Sequence, residues 1–98
     1  MLTIEEIKRR VRPICKSYGI KRLYLFGSYA RGESRVDSDI DFRLDKGKVR
    51  GVQIGGVYMD LQEALQRKID LLTTNQFSSD FLENIQNEEV LVYDEKQG

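Results

Sequence analysis

The stretch that decides the fold is DIDFRLD, at positions 39–45. Polar and apolar residues alternate through it without interruption, which is the period of a strand with one face buried. The apolar residues of this strand are expected to face the core. Asp39 and Asp41 then leave the opposite face together, about 7 Å apart along the backbone. The pattern predicts a strand that holds two carboxylates side by side.

Outward from this strand, helices and strands are predicted to alternate as α-β-α-β-α-β-α-β. The predicted strands are residues 23–26, 39–45, 69–72 and 90–93, and the predicted helices begin at Thr3, after Gly27, within 52–68, and at Ser78 or Ser79. Residues 23–26 are apolar on both faces, which predicts a fully buried strand. The expected fold class is α/β (α+β), a small mixed sheet of about four strands flanked by helices.

The first helix has recognisable ends. Thr3 and Glu6 match a capping box, and Gly19 suits a left-handed C-cap. Pro13 is expected to kink the last turn or end the helix early. Cys15 is expected to pack in the core, because free cysteine is among the most buried residue types.

Composition narrows the function. The chain has 98 residues, with 40% hydrophobic and 33% charged, which predicts one globular domain over residues 1–98. Its 16 basic and 16 acidic residues cancel, which argues against a protein whose main task is to coat nucleic acid or anionic membrane.

Several chemistries are excluded by residue types that the chain lacks. It contains no histidine and one cysteine, so Ser-His-Asp catalysis, zinc fingers and internal disulfides are ruled out. No apolar run approaches the ~18 residues of a membrane span, and no signal-peptide pattern follows Met1. A soluble, cytoplasmic protein is expected.

The paired carboxylates are the first candidate for chemistry. Two carboxylates on one strand face repel each other, so one takes up a proton unless something compensates. A divalent cation would do so, and oxygen ligands without imidazole or thiolate suit Mg²⁺ or Mn²⁺. For an isolated Asp-x-Asp, however, a solvated strand face is the better interpretation.

The loop upstream strengthens the case for a site. Gly27 and Ser28 stand at the end of a predicted buried strand, where the chain turns into a helix. Backbone N–H groups at such a turn, with a hydroxyl among them, favour a phosphate. A phosphate cradle beside a metal-ready carboxylate pair is typical of a nucleoside triphosphate site.

The two motifs together resemble a known family. GSYARG at 27–32 followed by SDIDF at 38–42 is similar to the signature of the polymerase β-type nucleotidyltransferases. In that superfamily a Gly-Ser pair precedes an Asp-x-Asp with hydrophobic flanks by about ten residues. The Ala-Arg-Gly and the short chain resemble the minimal nucleotidyltransferase (MNT) branch, and this resemblance covers essentially the whole chain.

The resemblance implies a third acidic ligand on a later strand, and Asp70 fits it. An arginine partner is the alternative for this aspartate, since an unpaired charge in an apolar strand is costly. By resemblance, Asp39, Asp41 and Asp70 would hold two Mg²⁺ ions and act in catalysis. Gly27 and Ser28 would hold the phosphates of the nucleotide.

Two arginines leave alternatives open. Arg31 contacts phosphate by resemblance, or is a surface arginine. Arg43 shares the strand face of the aspartates, where it binds the leaving pyrophosphate or pairs with a carboxylate and weakens metal binding. Three other aspartates are predicted to be solvated: Asp37, Asp45 and Asp60.

The resemblance implies an Mg²⁺-dependent enzyme that transfers AMP from ATP to a tyrosine of a HEPN-domain ribonuclease toxin, acting as the antitoxin. One alternative is an aminoglycoside-type nucleotidyltransferase that needs a dimer or a separate helical subunit. Another is a non-catalytic antitoxin that acts by occlusion. RNA tailing is least favoured, since a neutral chain offers no long basic channel. The base, the acceptor and any homo-oligomer stay open.

Overall fold

Helices and strands alternate in the predicted order in the computed structural model, which describes residues 2–35 and 37–97. The helices are α1 (Ile4–Tyr18), α2 (Ser28–Arg31), α3 (Ile54–Leu65) and α4 (Ser79–Ile85), and the strands are β1 (Arg22–Phe26), β2 (Ile40–Asp45), β3 (Ile69–Thr73) and β4 (Val90–Asp94). Single 3₁₀ turns, Gly51–Gln53 and Thr74–Gln76, precede α3 and follow β3. Within the described ranges, no helix has the length and apolar character that a membrane span requires.

The strands form one mixed sheet in the order β3-β2-β1-β4. β1 runs antiparallel to both β2 and β4, whereas β2 and β3 are parallel. The register places Phe26 opposite Asp41 on one side and Asp70 opposite Asp41 on the other. Phe26, Asp41 and Asp70 therefore form one row across three strands, and the predicted mixed sheet of four strands is confirmed.

The core lies on one face of this sheet, under α1 and α3. As the alternation in β2 predicts, Ile40, Phe42 and Leu44 are fully buried there, in one cluster with the apolar residues of both helices. In β1, Leu23 and Leu25 are buried but the alternate residues are only half-buried. The prediction of a strand buried on both faces is therefore wrong, because the second face of the sheet is only partly covered.

Local signals set the ends of α1. The Oγ1 of Thr3 accepts a hydrogen bond from the Glu6 N–H at 3.1 Å, and Gly19 caps the C-terminus at φ +73°. Pro13 lies inside the helix, which continues to Tyr18, so the expectation of an early end is wrong. Cys15 is fully buried as predicted, and burial raises the pKa of its thiol to about 12.

A close approach between α1 and α3 explains one glycine of the Gly55-Gly56 pair. The Tyr18 hydroxyl donates a hydrogen bond to Asp60 at 2.9 Å and lies over Gly56, where an added Cβ would come within 2.7 Å of that oxygen. An added Cβ at Gly55 would meet nothing within 4 Å. Gly56 therefore makes room for Tyr18, and Gly55 does not.

We expect the two glycines to respond to alanine by different amounts. Gly55→Ala should raise the free energy of unfolding by about 0.5–1 kcal/mol, because alanine is the better helix former. Gly56→Ala should raise it by less, because the new methyl group displaces the Tyr18 hydroxyl and costs the exposed hydrogen bond to Asp60. Urea unfolding of both variants measures this, and equal stabilisation by both would contradict the packing described.

Candidate active site

The three predicted acidic ligands lie at one end of the sheet. Asp41 is the second residue of β2, Asp39 directly precedes that strand, and Asp70 is the second residue of β3. The parallel register places Asp70 beside Asp41, and the Asp70 carboxyl group is near enough to raise the pKa of Asp41. Asp39 and Asp41 are half-buried, and Asp70 is exposed. The fold thus brings together residues that are about thirty positions apart in sequence.

Asp41 carries the electrostatic consequence of this arrangement. Its pKa is raised from 3.8 to about 6, first by burial and then by the hydrogen bond and charge of Asp70 and the charge of Asp39. Arg31 acts in the opposite direction and lowers the pKa of Asp41. The repulsion expected from the sequence is present, and it is strongest between strands rather than along one strand.

The donor chemistry of this cluster fits a hard divalent cation. All three side chains offer carboxylate oxygen, the ligand type that Mg²⁺ takes in proteins. With the side chains as they lie, no three acidic residues in ranges 2–35 and 37–97 are close enough to hold one ion jointly. Asp41 and Asp70, which are adjacent in the parallel register, are the part of the set already assembled, and Asp39 acts on Asp41 through its charge.

Gly27 brings the predicted phosphate cradle against the carboxylates. Its backbone is left-handed, at φ +74°, and a Cβ there would collide with the Asp41 carboxylate, 3.1 Å from Cγ. Ser28 then begins α2, which is a single turn of four residues. The Arg31 N–H closes this turn by donating a hydrogen bond to the Gly27 carbonyl at 3.1 Å. The first N–H groups of such a turn have no acceptor within the helix, so they can serve a ligand beside Asp41.

Arg31 is exposed to solvent and also contacts two carboxylates outside the aspartate cluster. Its guanidinium donates to Glu33 at 2.7 Å and lies 3.5 Å from Glu88, and its side chain is 43% exposed. The hydrogen bond that Arg31 donates to Glu33 is the main reason why the pKa of Arg31 is raised. Arg31 is thus a surface arginine that is also near enough to Asp41 to lower the pKa of that carboxyl group.

Arg43 pairs with a carboxylate outside the cluster. Its Nε and Nη2 donate to Glu89 at 2.5 and 2.9 Å, and its Nη1 donates to Thr74 at 2.8 Å. Its guanidinium carbon lies 4.1 Å from the centre of the Tyr24 ring. Arg43 therefore pairs with Glu89 and not with an aspartate of the cluster, and its binding of pyrophosphate stays a prediction.

The other aspartates divide between solvent and structure. Asp37 and Asp60 are exposed, as predicted. Asp45 is only partly exposed and has protein partners, so its prediction as a solvated residue is wrong: it accepts a hydrogen bond from Thr74 at 2.9 Å and lies 3.8 Å from Arg22. The cause is the antiparallel register, which places Arg22 directly opposite Asp45.

Sequence reasoning missed an aromatic cluster beside the carboxylates. The ring of Phe26 lies 5.6 Å from that of Phe77 and 6.4 Å from that of Phe81, both edge to face, and Phe77 stacks on Phe81 at 5.2 Å. Glu89 was missed in the same way. The contacts of Phe26 with Phe77 and Phe81, and of Arg43 with Glu89, join residues about fifty positions apart, so they have no local signal in the sequence. Phe77 and Phe81 are four positions apart, but that spacing alone does not place them on Phe26.

The family follows from comparison with known proteins. The family described as "Polymerase beta, Nucleotidyltransferase" matches residues 9–98. A candidate protein adenylyltransferase of Methanocaldococcus jannaschii is 37% identical over 91% of this chain and 97% of its own length. The protein adenylyltransferase MntA of Thermococcus cleftensis is 28% identical over 94% of this chain and 98% of its own length. The chain belongs to the polymerase β nucleotidyltransferase family.

Solved structures show the same fold. A candidate minimal nucleotidyltransferase superposes with a TM-score of 0.76 at 24% identity, covering 91% of this chain and 95% of the other. A chain from a toxin-antitoxin complex with AMP-PNP superposes with a TM-score of 0.73 at 19% sequence identity, and the match covers 92% of this chain and 75% of that chain. A chain from the complex of a tri-AMPylated HEPN toxin of Shewanella oneidensis with MNT antitoxin superposes with a TM-score of 0.68 at 16% sequence identity. The match covers 97% of this chain and 76% of that chain. The predicted fold and the prediction of a nucleotidyltransferase are both confirmed.

The raised pKa of Asp41 predicts a pH-dependent stability in the absence of metal. The folded chain holds the Asp41 proton more tightly than the unfolded chain does. The contribution of this proton to the free energy of unfolding is therefore full below about pH 4 and is lost as the pH rises through about 6. Asp41→Asn should therefore be more stable than wild type above pH 6, by about 1 kcal/mol after solvent screening. Thermal unfolding in a chelator from pH 4 to 8 measures this, and a constant difference across that range would contradict it.

The burial of the Arg43–Glu89 ion pair predicts that a single neutralising substitution of Glu89 lowers the free energy of unfolding strongly. Glu89→Gln should lower the free energy of unfolding by about 2–4 kcal/mol, because it leaves the buried guanidinium without its counter-charge. Glu88→Gln is the matched control, since the Glu88 side chain is 45% exposed and that of Glu89 is 7% exposed. The control should cost less than about 1 kcal/mol. Urea unfolding compares the two, and equal costs would contradict the structural role of Glu89.

Proposed function

We propose that this chain is an Mg²⁺-dependent protein adenylyltransferase, the antitoxin of a HEPN/MNT pair, which transfers AMP from ATP to a hydroxyl of its partner. The observation that carries this proposal is the close approach of the Asp41 carboxylate to Gly27, with Asp70 beside Asp41 in the parallel register. A phosphate turn and an acidic pair in direct contact suit a nucleotide held by its phosphates. The relatives named as protein adenylyltransferases support the acceptor class.

Each residue of the cluster has a role in this proposal. Asp39, Asp41 and Asp70 would hold Mg²⁺, which when bound lowers the pKa of the acceptor hydroxyl and stabilises charge on the phosphates. Gly27 and Ser28 hold the β- and γ-phosphates through backbone N–H groups and the serine hydroxyl. The protein itself has little covalent chemistry to perform in this transfer. Catalysis therefore depends on positioning of the substrates and on electrostatic stabilisation of the transition state.

The transfer step is an in-line displacement at the α-phosphorus. The acceptor oxygen forms a bond to that phosphorus, and the bond from the phosphorus to the bridging oxygen of pyrophosphate breaks. Asp70 is exposed on the edge strand β3, so it can reach the acceptor hydroxyl, orient it and take its proton. Pyrophosphate leaves with the electron pair of the broken bond.

The acceptor side favours a macromolecule. Asp70 lies on the outermost strand at this side of the sheet, and no element in the described part of the chain packs over its side chain to enclose a small acceptor. An acceptor that brings its own surface fits this opening. The structural neighbours that contain a HEPN toxin with an MNT antitoxin are consistent with such a partner.

We expect label transfer from α-labelled ATP, and none from γ-labelled ATP, when the chain is incubated with Mg²⁺ and lysate of its source organism. Asp41→Asn and Asp39→Asn should each abolish the labelled band, because they remove a carboxylate from the metal-holding set. Asp37→Asn is the matched control, since Asp37 is exposed and lies outside this set. Mass spectrometry of the band identifies the acceptor and the modified hydroxyl.

Two outcomes would overturn parts of this proposal. Wild-type transfer by Asp41→Asn would remove the assignment of the metal-holding residues. Full neutralisation of the toxin by Asp41→Asn, with no label from wild type, would replace transfer with occlusion as the mode of action. Label on a small molecule instead of a protein would favour the aminoglycoside-type alternative.

A further inference from the structure

The three phenylalanines beside the carboxylates form a surface that we call the aromatic ledge: Phe26, Phe77 and Phe81. Phe77 and Phe81 are nearly parallel, with 26° between their planes, and Phe26 supports both edge-on. Such edge-to-face and stacked contacts hold rings in defined orientations. The ledge is therefore an ordered group of rings rather than three separate side chains.

The ledge adjoins the phosphate turn. Phe26 directly precedes Gly27, and its Cα lies opposite that of Asp41 across the antiparallel pair. Asp70 lies on the other side of Asp41, on β3. A molecule held at Gly27 therefore has the ledge on one flank, while the proposed acceptor position beside Asp70 is on the other.

One ring of the ledge faces solvent. Phe81 is 42% exposed, while Phe26 and Phe77 are half-buried beneath it. The first turn of α4 fixes its backbone, because the Ser78 hydroxyl accepts a hydrogen bond from the Phe81 N–H at 3.1 Å. Among the exposed large apolar residues of the described ranges, Phe81 is the aromatic one. Phe81 therefore combines a fixed backbone with a ring that is partly accessible to a flat ligand.

We propose that Phe81 stacks on the nucleobase of the nucleoside triphosphate. This inference rests on the proposed function, because it requires the phosphates at Gly27 and Ser28. A base is joined to those phosphates through its ribose, so it has to lie on a flank of the phosphate turn. The ledge occupies the flank away from Asp70, and every base has a π-face that an aromatic ring can stack on.

The test separates the base from the phosphates. Binding of ATP and of inorganic tripolyphosphate, each with Mg²⁺, is measured by calorimetry for wild type, Phe81→Ala and Phe81→Tyr. Phe81→Ala should weaken ATP binding by about fivefold or more, the range that a lost base–aromatic stack gives. Tripolyphosphate should bind that variant as it binds wild type, and Phe81→Tyr should restore ATP binding. Met59→Ala, at an exposed apolar position on α3, should change neither.

The other outcomes overturn the inference in distinguishable ways. Equal weakening of both ligands by Phe81→Ala would mean that the ledge acts through the phosphate turn. Unchanged binding of both would remove the base from the ledge and leave the acceptor as its partner. If wild type bound neither ligand, the proposed function itself would fail, and this inference with it.

Discussion

The repulsion between Asp41 and Asp70 is the constraint on which the rest of the site depends. It arises from the parallel pairing of β2 with β3, which puts two carboxyl groups in one row of the sheet. Burial and the neighbouring charges raise the pKa of Asp41 to about 6. A fold that keeps such a pair in place is less stable without a ligand than it could be, which is common at functional sites.

The arginines nearby do not relieve this repulsion by pairing with the cluster, because each has other carboxylate partners. Arg43 is held by Glu89, Arg31 contacts Glu33 and Glu88, and Arg22 lies between Asp45 and Asp94. Most of these acidic partners lie on β4 or just before it. β4 therefore has a second role beyond completing the sheet, since it and the residues before it supply carboxylate partners to Arg22, Arg31 and Arg43.

Local patterns in the sequence were enough for most of the fold. The capping signals at Thr3 and Gly19 place α1, and the alternation in residues 39–45 places β2 with the correct face toward the core. Pro13 shows the limit of such signals, because an exposed proline is tolerated inside a helix whose other face is packed. The half-burial of β1 depends on what covers the second face, which a four-residue pattern does not contain.

The site was predictable where its residues share a motif and not where they meet through the fold. Gly27, Asp39 and Asp41 stand within fifteen positions, so the sequence indicates both the phosphate turn and the acidic pair. The contact of Gly27 with Asp41 and the pairing of Asp41 with Asp70 required the sheet register. The partners of Arg43 and Asp45, and the aromatic ledge, follow from strand pairing and from the position of α4, neither of which leaves a local trace.

The central claim is that a divalent cation together with a triphosphate relieves the repulsion at Asp41. The most direct measurement is the Tm of the wild-type chain at pH 7.5 with Mg²⁺, a non-hydrolysable ATP analogue, or both. We expect the two together to raise Tm by several degrees and either alone to do little, because ligand that binds only the folded chain stabilises it. An unchanged Tm with both ligands at millimolar concentration would contradict the claim.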